Sequence, residues 1–358
     1  MRLGTIHSHT GLRGVAALVV FMAHLGSEKM INLGINPAYF QIFYWPDFAV
    51  DLFFILSGFI LNWVYIGTEQ KSIHWGRYLK ARCARILPLY YLTLAVFVPP
   101  YLAAFKFGGL LCNHGEYFKR LLANLTLVSG FIVTPSWNWT INGPAWSISI
   151  EFFAYLTVFP MLVWFLHRFG KKSAPWMLVI AVVGLFLCYV NISHEIMGWH
   201  WRGLARGIFG FLMGFSLCML FLNQKRHVMP IGLVNIGALC AIGLALLHLI
   251  PFLTILFALP FLVYCTAFDK GLVCMILKAK PLQWLGERSY SMYLWHTPLM
   301  YVFFIPRVAK IDGMIKCSQA WMGWVNMSLV VLSVFIISEL SYRYFERPVR
   351  NLVRKTSI

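Results

Sequence analysis

The chain has 358 residues, of which 60% are hydrophobic and only 12% charged, with a mean hydropathy of +0.72. That balance excludes a soluble globular domain, which needs more charge to cover its surface. The net charge of +18 does not signal nucleic-acid binding, because the basic residues form no stripe on a soluble unit and lie between apolar runs.

Read in order, the apolar runs long enough to cross a hydrocarbon core of about 30 Å cover residues 11–25, 48–65, 86–105, 146–166, 174–190, 203–222, 228–249, 252–268, 290–305 and 320–340. The first run is the shortest and would serve equally as an interfacial helix unless Arg13 snorkels to the headgroups. Arg13 also breaks any signal-peptide pattern, and no small-residue cleavage site follows it. Residues 121–133 are apolar but too short to cross, and read as a re-entrant or surface-lying segment. The stretch 135–144 that follows is rich in Trp, Asn, Pro and Gly and is no regular helix. Runs seven and eight meet at Pro251, a tight hairpin. The expectation is an all-α, polytopic transmembrane helix bundle of about ten spans, a single membrane domain over 1–358 with no appended soluble domain.

Sidedness follows from the basic residues. With the N-terminus inside, the loops carrying Arg77, Lys80, Arg82 and Arg85, then Arg168, Lys171 and Lys172, and the C-terminal arginines all fall on the cytoplasmic side. The inner loops then hold about twice the Lys and Arg of the outer ones, among which Arg202 and Arg206 are counted. Both termini are therefore placed in the cytoplasm. The eight cysteines include no CxxC pair, so neither zinc nor a disulfide framework is indicated. Cys112 and Cys317 both fall in outer loops, where they could pair or remain thiols.

An ionisable side chain near a bilayer centre costs about 2.5–3.5 kcal/mol or more, which makes His24, Asp51, Glu151 and His296 functional candidates. Arg13 and His24 are eleven residues apart. On a helix that spacing returns to within about 20° of the same face and separates them by about 16 Å. The pantetheine arm of coenzyme A has a comparable length, roughly 15 Å, so an Arg holding its phosphates would leave a thioester near His24. The plainer alternative is that Arg13 snorkels and His24 caps a helix end. Asp51 and Glu151 each open a span near a helix N-terminus, where the dipole favours a carboxylate by about 0.3–1 kcal/mol; either could instead orient and charge His24 as a general base. His296, in SYSMYLWHTPL, could face the same cavity or be a packed core residue. Arg82 and Arg85, in RCAR, satisfy the positive-inside rule and would also make a two-pronged phosphate clamp at the start of a helix, with Pro88 in its first turn.

Six segments together resemble the acyltransferase family three of membrane O-acyltransferases: GLRGVAALVVFMAHL, VDLFFILSGFIL, RYLKARCARILPLYYL, PAWSISIEFFAYL, SYSMYLWHTPL and SYRYFERPVR. They stand in family order from residue 11 to 350. The resemblance implies ten core spans in a plasma membrane (the inner membrane of a bacterium), cytoplasmic acyl-CoA, acetyl-CoA in the first instance, as donor, and a saccharide hydroxyl outside as acceptor, without a metal. It also implies that Arg13 and His24 are the essential first-span pair, that Arg82 and Arg85 handle acyl-CoA, and that Glu151 and His296 occupy the family's acid and histidine positions. Trp137, Trp139 and Trp146 suit stacking on sugar rings, and equally suit interfacial anchoring. A transporter or flippase of a lipid-linked saccharide would share the buried ionisable groups, but the sequence lacks the internal repeat that organises many transporters.

Overall fold

A computed structural model describes residues 4–25, 47–67, 73–107, 114–131, 141–190, 198–224, 230–308 and 320–355. Every regular element among them is helical. In chain order these are α1 (His7–Leu25), α2 (Asp47–Tyr65), α3 (Trp75–Phe107), α4 (His114–Leu125), α5 (Trp146–Phe153), α6 (Phe159–Phe169), α7 (Ala174–Tyr189), α8 (Gly198–Asn223), α9 (Ile231–Leu246), α10 (Thr254–Thr266), α11 (Leu272–Leu277), α12 (Lys280–Val308), α13 (Ala320–Ser341) and α14 (Arg347–Lys355). A π-helical turn, Ala154–Val158, joins α5 to α6, and a second, Tyr342–Glu346, joins α13 to α14.

Six helical stretches among the described residues are long and apolar enough to cross a membrane: Asp47–Tyr65, Trp75–Pro99, Gly143–Phe169, Lys171–Tyr189, Arg202–Asn223 and Trp324–Val353. α9 and α10 are apolar but shorter. α1 and α12 have the length and carry more polar residues, His9, Thr10 and Arg13 on one, Gln283, Glu287, Arg288 and His296 on the other. Large apolar side chains stand outward, among them Met161, Trp164, Trp176 and Leu233, the reverse of a soluble surface and the arrangement a lipid solvent permits.

The structure differs from the sequence expectation at α3 and adds detail at α4. α3 begins at Trp75, so Arg82 and Arg85 lie on the helix itself, and Pro88 sits in its interior rather than its first turn. A membrane helix tolerates an interior proline because neighbouring groups satisfy the backbone that it frees. Of the short apolar segment 121–133, residues 121–125 end a helix, α4, that begins at His114 and is followed by turns to residue 131. Its last carbonyls are closed by two tyrosines of α3, Tyr90 Oη donating to Asn124 O at 2.9 Å and Tyr91 Oη to Leu125 O at 2.8 Å. Residues 132–140, with Trp137 and Trp139, and both Cys112 and Cys317 lie outside the described residues.

The chain divides into two compact units. The first gathers α1 as far as Ala17, α2, and the chain from Ile150 to Glu287. Its core is α2 packed along α8, with α7 on α8 and α9 on α10. Glycines make the α2–α8 approach possible: a Cβ on Gly58 would stand 2.0 Å from Phe211 O, and one on Gly214 1.8 Å from Ile55 O. Small residues at such a seam replace the hydrophobic drive that lipid removes. The second unit gathers α1 from Leu18, the chain from Gly76 to Ser149, and α12 from Arg288 with α13 and α14. There Trp295 Nε1 donates to Ser341 Oγ at 3.0 Å, and Arg288 forms an ion pair with Glu339.

Candidate active site

In the second unit the two candidate histidines meet. His24 lies in the last turn of α1 and His296 within α12, and their rings are 5.1 Å apart between centroids. His24 is half-buried and His296 fully buried. Each ring is fixed by its own helix: His24 Nδ1 is 2.8 Å from Val20 O, and His296 Nδ1 is 3.2 Å from Met292 O. A carbonyl can only accept, so in the neutral form of each ring Nδ1 carries the proton and Nε2 the lone pair. The acceptor at His24 Nδ1 is thus a backbone carbonyl one turn back.

The segments PAWSISIEFF and SYSMYLWHTPL, far apart in sequence, are bonded together beside this pair. Tyr293 Oη lies 2.7 Å from Ser147 Oγ and donates to Pro144 O at 3.0 Å, and Asn142 Nδ2 donates to Leu294 O at 2.9 Å. The Tyr293 ring packs against His296 with centroids 5.9 Å apart. Tyr293, Ser147 and Asn142 escape a search for ionisable groups. Only their places within or beside those segments point to them.

The same unit holds the two arginines of α3. Arg85 forms an ion pair with Glu346, which is only 2% exposed, and the other Glu346 oxygen accepts from Ser291 Oγ at 2.9 Å. The Arg85 guanidinium also stands over the Tyr290 ring, 5.3 Å from its centroid, and Tyr290 Oη donates to Ile86 O at 2.7 Å. Arg82 is half-buried one turn earlier on α3.

The first unit holds Arg13, Asp51 and Glu151. Arg13 and His24 stand on one uninterrupted helix, α1, so their expected single-face spacing applies. Asp51 is 2% exposed and closed on both oxygens. Oδ1 accepts from Arg206 Nε at 3.0 Å and is 2.9 Å from Arg206 Nη2, while Tyr189 Oη donates to Oδ2. Arg206 also reaches Asp47 Oδ1 at 2.7 Å and lies over the Tyr189 ring. Glu151, on α5 just before the first π-helical turn, accepts two hydroxyls on one oxygen, Ser57 Oγ at 2.6 Å and Tyr155 Oη. Its other oxygen makes no hydrogen bond among the described residues. Among those residues no cluster of three or more His, Cys, Asp or Glu side chains could hold a metal. Chemically, the second unit offers a basic imidazole nitrogen, and the first a carboxylate with acceptor capacity to spare.

Comparison with known proteins places these features in context. A family model described as an acyltransferase domain matches residues 6–343. The acyltransferase MdmB of Streptomyces mycarofaciens is 32% identical over 176 residues, 49% of this chain and 43% of that protein. The O-acetyltransferase OatA of Staphylococcus aureus is 24% identical over 95% of this chain and 56% of its own length. The peptidoglycan O-acetyltransferase OatA of Listeria monocytogenes is 26% identical over 96% of this chain and 56% of its own length. The chain thus spans about half the length of the curated relatives it matches. No solved structure matches it.

Proposed function

The chain belongs to this acyltransferase family, and from that premise we propose that it is a multi-pass O-acyltransferase of the plasma membrane, a bacterial inner membrane. It moves an acyl group, acetyl in the first instance, from cytoplasmic acyl-CoA to a hydroxyl of a cell-surface or lipid-linked saccharide. Ten spans with both termini inside suit that vectorial chemistry, with donor and acceptor arriving from opposite faces. Arg82, Arg85 and Arg13 hold the phosphates of the donor. His24 accepts the hydroxyl proton, or carries the acyl group. Its Nε2 is the nitrogen that does either, because the bond from Nδ1 to the Val20 carbonyl leaves Nε2 with the lone pair. That observation carries the reading. His296 packs against the ring, Glu151 supplies a second proton acceptor, and Asp51 completes the set of buried acids. A base within reach of a bound hydroxyl contributes about 10²–10⁴-fold, beyond what positioning supplies.

The test is release of free CoA from acetyl-CoA by purified protein, with a saccharide acceptor. Peptidoglycan, named for one relative, is the first acceptor to try. His24→Gln should keep acetyl-CoA binding and lose transfer by at least about 10²-fold, since an amide can hydrogen-bond at a helix end but accepts no proton at neutral pH. An active His24→Gln enzyme would make the histidine structural. Quenching with radiolabelled acetyl-CoA and no acceptor separates the two routes: label retained on the protein but absent from His24→Ala indicates acyl-histidine, and no label indicates direct attack.

A further inference from the structure

The ion pair between Arg85 and Glu346 joins positions 261 residues apart, and nothing in the proposed chemistry explains it. Glu346 closes the π-helical turn Tyr342–Glu346, a local change of register of the kind that often marks functional positions. Its carboxylate is held twice, by Arg85 on Oε1 and by Ser291 on Oε2, and Arg350 stands 3.8 Å away. The exposures differ in a telling way: Arg85 retains 17% of its side-chain surface and Glu346 only 2%. The guanidinium is thus the more accessible partner, and the carboxylate is shut in behind it. A guanidinium has five N–H donors in a planar fork, and an acid on Nη1 together with the Tyr290 face holds the plane of that fork.

We propose that Glu346 is a positioning residue for the acyl donor: its carboxylate, anchored by Ser291, sets the Arg85 guanidinium in the orientation that receives a phosphate of acyl-CoA. The inference rests on the reading of Arg85 as a donor-phosphate ligand. Glu346 does not touch the donor and acts through Arg85, as outer partners orient the groups that bind a ligand. A bidentate phosphate contact needs the plane of the fork held. An arginine free to rotate would keep its charge and lose that match.

The experiment compares two donors on the full-length protein in detergent: acetyl-CoA, and S-acetylpantetheine, which lacks the nucleotide phosphates. Glu346→Gln should raise the KM for acetyl-CoA about tenfold with little change in kcat, the loss being confined to the phosphate-bearing donor. In an Arg85→Ala background the same substitution should add nothing. Ser291→Ala, which removes only the anchor, should show the same pattern at about threefold, and it decides the matter if Glu346→Gln does not fold. Equal losses with both donors, or an acetyl-CoA KM that stays unchanged or falls while Arg85→Ala raises it, would overturn the role of Glu346. If Arg85→Ala itself leaves acetyl-CoA binding intact, the donor reading of Arg85 is what fails, and the inference falls with it.

Discussion

Asp51 and Glu151 make an instructive pair. Both are carboxylates within apolar helices of the first unit, and each shares an oxygen with a tyrosine hydroxyl. Asp51 is matched by the Arg206 guanidinium and closed on both oxygens. Glu151 has only hydroxyls, both on Oε1, and among the described residues no cation pairs with it. A buried charge that is fully paired is a structural element: it is costly to break and has little left to offer a substrate. A carboxylate oriented by neutral donors on one oxygen keeps the other as an acceptor. The two differ in their partners and also in depth, Asp51 being buried and Glu151 only half-buried.

Substitution breaks the two in opposite ways. Glu151→Gln should fold, because the amide oxygen can still accept from Ser57 and Tyr155, and should lose transfer by about 10²–10⁴-fold if the acid is a proton acceptor. Asp51→Asn leaves Arg206 under-compensated, so the expected effect is on the fold: about 3–5 kcal/mol of stability, read as a lowered melting temperature and less monodisperse protein on size exclusion. Replacing Arg206 by Met in the same chain should restore part of it. A Glu151→Gln enzyme with parental kcat, or a stable Asp51→Asn protein without activity, would invert the comparison. A smaller effect belongs to Tyr155→Phe, which removes one of the two bonds on Glu151. A bond to a charged group contributes about 1.5–3 kcal/mol, so transfer should fall roughly tenfold or somewhat more, while Tyr189→Phe beside Asp51 should lower stability and spare the rate.

This contrast was only half legible in the sequence. Ionisable residues in apolar runs singled out His24, Asp51, Glu151 and His296, and two of them, the histidines, do stand ring to ring. Their partners were not legible, because those bonds cross long stretches of chain: Asp51 to Arg206, 155 residues on, and Arg85 to Glu346. Arg206, counted with the outer basic residues, is only 4% exposed, since a charge rule assigns sides and is blind to pairing. Local context also misplaced Pro88, because propensity alone does not allow for a membrane helix that runs through a proline. The helical class and the apolar runs were plain, as hydropathy reports the solvent that each segment meets.

The smallest effect concerns a third carboxylate, Asp269, which lies in the turn after α10 and tests whether the contrast extends beyond the spans. It is paired with neither a guanidinium nor a lone hydroxyl. It accepts from the first N–H groups of α1, His7 N at 3.1 Å and Ser8 N at 2.8 Å, and from Ser8 Oγ. Those N–H groups have no partner within their own helix, so Asp269 caps α1 from 261 residues away. Burial pushes its carboxyl up, but the bonds from Ser8 and His7 and the nearby Lys278 outweigh that and hold it below its ordinary 3.8. A carboxyl depressed in the folded state contributes stability that is present above the unfolded value and is lost as pH falls through the folded one. The cap should therefore be insensitive to pH from neutrality down to about 4 and weaken only below it. Asp269→Asn keeps one acceptor oxygen and loses the charge, so it should cost about 0.5–2 kcal/mol at pH 7, with no loss of turnover per folded molecule. Melting curves of the parent and Asp269→Asn should run apart by a constant margin between pH 7 and 5, then converge under acid. If the margin already shrinks near pH 6, a group other than this carboxylate controls the start of α1; if Asp269→Asn loses turnover while its melting temperature stays put, Asp269 belongs with Glu151 among the working acids.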